Sequence, residues 1–297
     1  MRYESPRTIE AASALLASEA GLARVLAGGT DLLVQLRAGM VEPDLIVDVK
    51  NIPAMTSITE ENGGYRIGAA VSSAEMNEHE GLCALWPGVM EGADLIGSTQ
   101  VQGRATMVGN LCNCGPAADS VPGMVAANAI ATIVGLAGRR EVPVIDIPVA
   151  PGKSTLTKGE IVESVFLPAR PKRAGDAYLR FIPRTEMDIA VVGVGVSIEL
   201  DDNGVCTHAR VGLGAVAIKV LLVEDAAQAL IGSKLDEAAL DKMAAATSAA
   251  CKPINDKRGT IEFRTKVAGV LAVRAAKIAQ ERANVRANTR ASNGGEK

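Results

Sequence analysis

Histidine is nearly absent from this chain. Only His79 and His208 occur in 297 residues, and the five cysteines, Cys83, Cys112, Cys114, Cys206 and Cys251, form an odd and scattered set. An odd count in a long chain argues against a disulfide framework and predicts free thiols. Cys112 and Cys114 are the one close pair, and a C-x-C without a second pair or nearby histidines cannot complete a four-ligand metal site, so they are expected to be small, buried or half-buried residues. A basic surplus is lacking too: the net charge is −3 and the pI is near 5.6, which leaves no electrostatic footprint for nucleic acid. No run approaches the ~18 apolar residues that span a bilayer. The opening Met1-Arg2-Tyr3-Glu4-Ser5-Pro6 has no basic segment leading into an apolar one, so a cytoplasmic location is expected.

What is present suits a folded chain with a sizeable core, since 48% of residues are hydrophobic and 22% charged. Residues 1–55 read as a small parallel β-α-β unit. Thr8 to Glu19 has helical spacing, Ala23 to Ala27 and Asp44 to Val49 are strand-like, and Leu32 to Ala38 is a helix ending at Gly39. Residues 56–175 change to antiparallel pattern. Hairpins are predicted around Glu61-Asn62-Gly63-Gly64 and around Ala137-Gly138, with Glu160 to Leu167 as a further strand. Between them come short helices from Ser73 and over Pro87 to Ile96, then an aperiodic stretch, Gly97 to Ala118, that reads as a long functional loop. A boundary falls near residues 170–178. Residues 176–286 then read as extended runs, Tyr178 to Ile182, Asp188 to Leu200 and Val205 to Leu213, followed by helices over Asp225 to Ile231, Asp236 to Ala249 and about Thr260 to Asn284. Residues 287–297 are polar and glycine-rich and are expected to fray.

Two segments carry the chemistry. Ala27-Gly28-Gly29-Thr30-Asp31-Leu32 joins a strand to a helix through two glycines, a turn that bares backbone N–H groups and lets a ligand approach the main chain. Alone such a turn is common punctuation. The second segment runs from Ala105 through Thr106, Met107, Val108, Gly109 and Asn110 to Ala118 and Asp119. Together they resemble the FAD-binding medium subunit of the molybdenum hydroxylases, the family of xanthine dehydrogenase and aerobic carbon monoxide dehydrogenase. That family has an Ala-Gly-Gly turn, and roughly 75 residues later a Thr-x-Gly-Gly-Asn segment followed by Asn, Pro and Asp. The resemblance continues through Arg184 to Ala190, Val211 to Ala217, and Pro253 to Gly259 with Phe263-Arg264, so that it covers about residues 3–280.

The resemblance implies an α+β fold: a two-part FAD-binding domain of the PCMH/VAO type over residues 1–175, then a C-terminal α+β domain with an antiparallel sheet and helices. It also implies a cofactor site. Ala27, Gly28, Gly29, Thr30 and Asp31 would wrap the FAD diphosphate together with Thr106, Met107, Val108, Gly109 and Asn110, through main-chain donors and the two threonine hydroxyls, and the flanking Leu32 and Ala105 count among the cofactor-binding residues. Asp119, preceded by Ala118, would accept a hydrogen bond from a cofactor hydroxyl, and Val162 and Arg180 match positions near the flavin in relatives. Plainer readings stay open beside these. Asp119 would serve equally as the cap of a helix over Val121 to Asn128, Thr30 or Asp31 as the cap of the Leu32 helix, Val162 as an ordinary strand residue and Arg180 as a surface arginine. Two departures stand out. Val108 replaces the first glycine of the pair, adding bulk beside the cofactor and removing access to positive φ, and Cys114 stands where a small residue such as Ala is usual.

By the same resemblance the chain is an oxidoreductase subunit that carries FAD and transfers electrons. Molybdopterin would reside in a large partner subunit and two [2Fe–2S] clusters in a small one, giving a heterotrimer. Electrons would arrive from the iron–sulfur subunit and leave to NAD, a quinone, oxygen or a carrier. No catalytic acid–base pair or nucleophile is evident: G-x-S-x-G, HExxH and Walker sequences are all missing. Two other readings remain at this stage, a stand-alone flavin oxidase or reductase of the same superfamily and a flavin-free assembly scaffold. Flavin absorbance and co-purifying molybdenum and iron separate the three.

Overall fold

The computed structural model describes residues 1–185 and 187–292, with side-chain surroundings through residue 286. Three strands, β1 (Arg2–Glu4), β2 (Ala23–Leu26) and β3 (Leu45–Asp48), form a parallel sheet in the order β1-β3-β2. All four residues of β3 are buried, as expected of a central strand covered on both faces. Helix α1 (Ile9–Ser18) connects β1 to β2. Its start is fixed by the Thr8 hydroxyl, which accepts from the Ala11 N–H at 3.2 Å, and it buries Ile9, Ala12 and Leu16. Helix α2 (Leu32–Arg37) connects β2 to β3 and directly follows the glycine turn. Strand β1 was not anticipated from sequence; three residues at a sheet edge are too few for a periodic signal.

The antiparallel part holds β4 (Ile58–Glu61), β5 (Gly64–Gly68), β6 (Ile130–Gly135), β7 (Gly138–Pro143), a small hairpin of β8 (Pro148–Ala150) and β9 (Lys153–Ser154), and β10 (Ile161–Leu167). Apart from that hairpin these strands make one sheet, β4-β5-β10-β6-β7. Both predicted hairpins are present, turning at Asn62-Gly63 and at Leu136-Ala137. The segment before β4 is a single 3-10 turn, Pro53–Met55. Between β5 and β6 lie the short helices α3 (Ser73–Glu78), α4 (Glu80–Leu85), α5 (Pro87–Asp94), α6 (Thr99–Gln102), α7 (Met107–Cys112) and α8 (Ser120–Ala126). The stretch predicted as a continuous loop, Gly97 to Ala118, therefore contains two helices. Each is too short to show an apolar face, and tertiary packing, not propensity, holds them.

The last part is a sheet of β11 (Ala174–Phe181), β12 (Val192–Leu200), β13 (Cys206–Gly214) and β14 (Leu221–Leu222) in sequential antiparallel order, backed by α9 (Glu224–Gln228), α10 (Glu237–Ala250) and α11 (Ile261–Ser292). On α11 the buried face is nearly all alanine: Ala268, Ala272, Ala275, Ala276, Ala279 and Ala283. Small side chains let the helix lie against β11 so closely that a Cβ on Gly175 would meet the Ala279 carbonyl oxygen at 1.9 Å. The helix backbone continues to Ser292, past its expected end at Asn284. Of the stretch expected to fray, residues 293–297 lie outside the described residues.

Two hydrophobic cores result. One gathers side chains from Ile9 to Leu167 together with Val220, and the other gathers side chains from Ala177 to Ala283. They meet where α5 and α8 pack on the last sheet: a Cβ on Gly195 or Gly212 would fall 2.5 or 2.3 Å from the Pro122 carbonyl oxygen of α8. The cysteines are free. Cys114 is buried at a positive φ of 54°, with its thiol pushed up to about 11 by burial. Among the described residues no helix is long and apolar enough to cross a membrane.

Candidate functional site

The first wall of the site begins where β2 stops. Gly29 has φ +77°, the left-handed region that favours glycine, and lets the chain turn from the strand into α2. Gly28 is excluded from carrying a side chain by contact: a Cβ there would lie 1.8 Å from the Arg104 carbonyl oxygen. The N–H groups of Gly28, Gly29, Thr30, Asp31 and Leu32 find no acceptor among the described residues; the first to find one is Leu33, which donates to the Gly29 carbonyl at 2.9 Å. Five successive free donors make a concave cradle for oxygen anions. Asp31 stands at the N-cap position of α2 but makes no cap hydrogen bond. Its carboxyl is raised from the usual range by desolvation.

The second wall is the start of α7. Thr106 is its N-cap, and its hydroxyl accepts from the Gly109 N–H at 2.9 Å. Val108 donates to no acceptor among the described residues, whereas the antiparallel bridge between Ser72 and Thr106 turns the Met107 N–H back toward Val71. The segment is hung from α3: the Ser73 N–H donates to the Ala105 carbonyl at 2.8 Å, and Ser72 pairs with Thr106 across an isolated bridge. Val108 lies within the helix at negative φ, so the loss of glycine there costs no turn geometry; its side chain is 3% exposed and packs into the first core. The expected loss of backbone freedom at this position is thus immaterial, and only the added bulk remains.

Thr30 and Thr106, 76 positions apart, are brought to one cavity of about 760 Å³. This falls within the ~300–1,000 Å³ typical of small-molecule sites. Ala27, Gly28, Gly29, Thr30, Asp31 and Leu32 line it from one side and Thr106, Val108, Gly109 and Asn110 from the other, with Val162 of β10 at the back. Asn110 accepts from the Ser120 hydroxyl at 2.8 Å through Oδ1, which holds its side chain in place. Sequence reading missed a third wall. Gly152, Ser154 and residues 156–161 close the cavity, and the Ser13 hydroxyl anchors this loop by donating to the Gly159 carbonyl at 2.8 Å. The positive φ of Gly152 and Gly159 is the one local signal that marks it. Cys112 also lines the cavity; its thiol is pushed up to about 12 by burial and by Cys114, which keeps it an unreactive thiol.

Five of the anticipated residues do not line this cavity. Ala105 and Met107 are buried at 1% exposure and support α7 from behind. Ala118, Asp119 and Arg180 belong to a neighbouring cluster. Asp119 makes no cap hydrogen bond to α8. Instead its Oδ1 accepts from the Tyr178 hydroxyl at 2.8 Å and its Oδ2 from Arg180 at 2.7 Å, while the same Arg180 nitrogen donates to the Leu95 carbonyl at 3.1 Å. Arg180 is no surface residue, since its side chain is 7% exposed. Burial raises the Asp119 carboxyl, Arg180 and Tyr178 pull it back down, and the Tyr178 hydroxyl is raised well above its ordinary value by burial and by Asp119. The cluster bolts the last sheet onto the start of α8, one residue from the Ser120 that holds Asn110.

Comparison with known proteins gives two family matches. Residues 1–170 match the family described as FAD binding domain in molybdopterin dehydrogenase, and residues 177–279 match the CO dehydrogenase flavoprotein C-terminal domain. The chain is 32% identical over 281 residues to the carbon monoxide dehydrogenase medium chain of Afipia carboxidovorans, covering 95% of this chain and 97% of that one. It is 30% identical over 264 residues to the xanthine dehydrogenase FAD-binding subunit of Escherichia coli O157:H7, covering 88% and 90%. Among solved structures it superposes with a TM-score of 0.90 on a chain of the reconstituted CO dehydrogenase from Oligotropha carboxidovorans, at 32% identity over 95% of this chain and 98% of that one.

Proposed function

The chain belongs to the FAD-binding medium subunits of the molybdenum hydroxylase family, and from that premise we propose that the two-walled cavity is its FAD site. It is the electron-transfer flavoprotein subunit of a multi-subunit oxidoreductase. One observation supports the reading: five consecutive residues whose N–H groups find no acceptor among the described residues, Gly28 to Leu32, line the cavity across from Val108, whose N–H is likewise without an acceptor. A diphosphate needs many donors in a small arc, and backbone supplies them without a basic cluster. The cavity volume fits the same group.

When bound, FAD supplies the redox chemistry, and the protein contributes binding, orientation and exclusion of competing reactions. Gly28 to Leu32 and the first turn of α7 would hold the diphosphate, with the Thr30 and Thr106 hydroxyls as further donors. Asn110, fixed by Ser120, and Val162 bound the space further along. Ala105 and Met107 hold α7 in position. Asp119 and Arg180, preceded by Ala118, act next to the site and keep α8 and the last sheet in register with it.

Electrons are supplied to this subunit by a small [2Fe–2S] subunit that draws on a large molybdopterin subunit, the three forming a heterotrimer, and are passed to an external acceptor such as NAD, a quinone, oxygen or a carrier. We propose a cytoplasmic location for the complex. The test is the absorbance of the purified full chain and its titration with FAD. A yellow protein, or one that takes up FAD stoichiometrically, is expected. A chain that stays colourless in excess FAD overturns the reading, and a stable monomer with substrate-dehydrogenase activity and no associated molybdenum or iron overturns the partner assignment.

A further inference from the structure

Beneath the glycine turn lies an ion pair that takes no part in lining the cavity. Asp48 ends the central strand β3 and is 6% exposed. Its Oδ2 accepts from the Tyr3 hydroxyl of β1 at 2.5 Å, and its Oδ1 accepts from both the backbone N–H and the ammonium of Lys50, at 3.0 and 2.8 Å. The same ammonium donates to the Ala27 carbonyl at 3.1 Å. Parallel register explains the reach. Leu26 pairs with Asp48, so the residues that follow each strand run side by side and bring Lys50 under the Ala27–Gly28 peptide.

That peptide is trans, so the Ala27 carbonyl and the Gly28 N–H point in opposite directions. Lys50 is absent from the cavity wall, whereas Gly28 belongs to it. Lys50 thus engages the carbonyl of this peptide, while the opposed Gly28 N–H finds no acceptor among the described residues and is left available to a ligand in the cavity that Gly28 lines. The anchor matters because this peptide joins Ala27 to a glycine that is followed by a second glycine at positive φ, the part of the wall most free to rotate its peptide plane. A cation on the carbonyl also polarises the peptide and strengthens its N–H as a donor.

We propose that Lys50, braced by Asp48 and Tyr3, is a positioning residue for cofactor binding: it locks the Ala27–Gly28 peptide with its donor facing the cavity and polarises it toward the anionic diphosphate. The proposal rests on the FAD reading above.

The experiment titrates FAD into the full-length apo chain, following flavin fluorescence, beside thermal unfolding of the same samples. K50M weakens FAD binding about tenfold, the scale of one lost hydrogen bond to a charged group, and K50R, which keeps a cation under the carbonyl, recovers most of it. K50M alone leaves Asp48 buried without its cation, so the double variant D48N/K50M separates the effects. It regains apo-chain stability while FAD binding stays weak. Wild-type affinity in K50M, or affinity that returns with stability in D48N/K50M, overturns the proposal and leaves the FAD site standing. A wild-type chain that binds no FAD overturns both.

Discussion

In the wall formed by Ala27 to Leu32, backbone donors are bared by glycine: Gly29 takes a positive φ, and Gly28 touches the opposite wall where any Cβ would collide with the Arg104 carbonyl. In the wall formed by Thr106 to Asn110, donors are bared by a helix start, and one threonine hydroxyl holds the first turn. The first device depends on the absence of side chains and the second on the presence of one. Substitutions should therefore act very differently on the two walls, although both present the same groups to the same cavity.

The largest effect is expected at Gly28. Gly28→Val drives a branched side chain into backbone that cannot yield as a side chain would, so the walls must part. We expect a loss of more than about 4 kcal/mol in stability, the range reserved for severe steric or buried-polar disruption, together with complete loss of FAD retention. Urea unfolding of the apo chain and absorbance of the purified protein check both. A yellow, stable Gly28→Val protein would show that the walls do not touch.

Next comes the bolt that keeps the second wall in register with the last sheet. Arg180→Met leaves the Asp119 carboxylate buried without its cation, a change that typically costs about 3–5 kcal/mol. Its pH dependence has a definite sign. Burial already raises the Asp119 carboxyl in the folded chain, and removing Arg180 raises it further. A raised carboxyl means that the folded state binds more protons than the unfolded state, so stability is fullest at acid pH and falls as pH rises through the folded value. The deficit of Arg180→Met relative to wild type should thus be greatest above the raised Asp119 value and shrink as the pH falls below it, as measured by urea unfolding across pH. A deficit that grows on acidification would place the proton elsewhere.

A smaller effect is expected at Thr106, where the second wall depends on one hydroxyl. Thr106→Ala removes the acceptor for the Gly109 N–H and should cost about 1 kcal/mol of stability, the usual worth of an N-cap. FAD affinity should fall with it, and Thr106→Ser should restore both in the same titration. If Thr106→Ser binds FAD no better than Thr106→Ala, the hydroxyl is not the operative group.

The contrast between the walls also explains what could be read from sequence. Gly28-Gly29 between an apolar strand and an apolar helix is a local pattern, and the family resemblance paired it with Thr106 to Asn110. The helix α7 was invisible as a helix because six residues containing Gly and Asn carry no periodicity, and only the Thr106 cap marks it. The third wall and the Lys50 strut were invisible for a different reason: nothing in Gly152 to Ile161 or in Val49-Lys50-Asn51 resembles a binding motif, and tertiary structure alone brings them to Gly28. Asp119 and Arg180 were legible as important and illegible as a pair. Sixty-one positions separate them, and a buried arginine looks like a surface one until its partner is seen.

The smallest change in affinity is expected at Val108, where this chain departs from its family's glycine. If glycine were needed there for a left-handed turn, as at Gly29, restoring it should tighten FAD binding many-fold. The backbone at Val108 is already helical at negative φ and its side chain is packed in the first core. Val108→Gly should accordingly change FAD affinity by less than about threefold, under 1 kcal/mol by the usual conversion. Its cost should appear in the unfolding temperature, through lost packing and a more flexible first turn. Affinity that rises tenfold in Val108→Gly would mean that the valine's bulk, rather than the helix start, limits the second wall, and the two walls would then share a dependence on missing side chains.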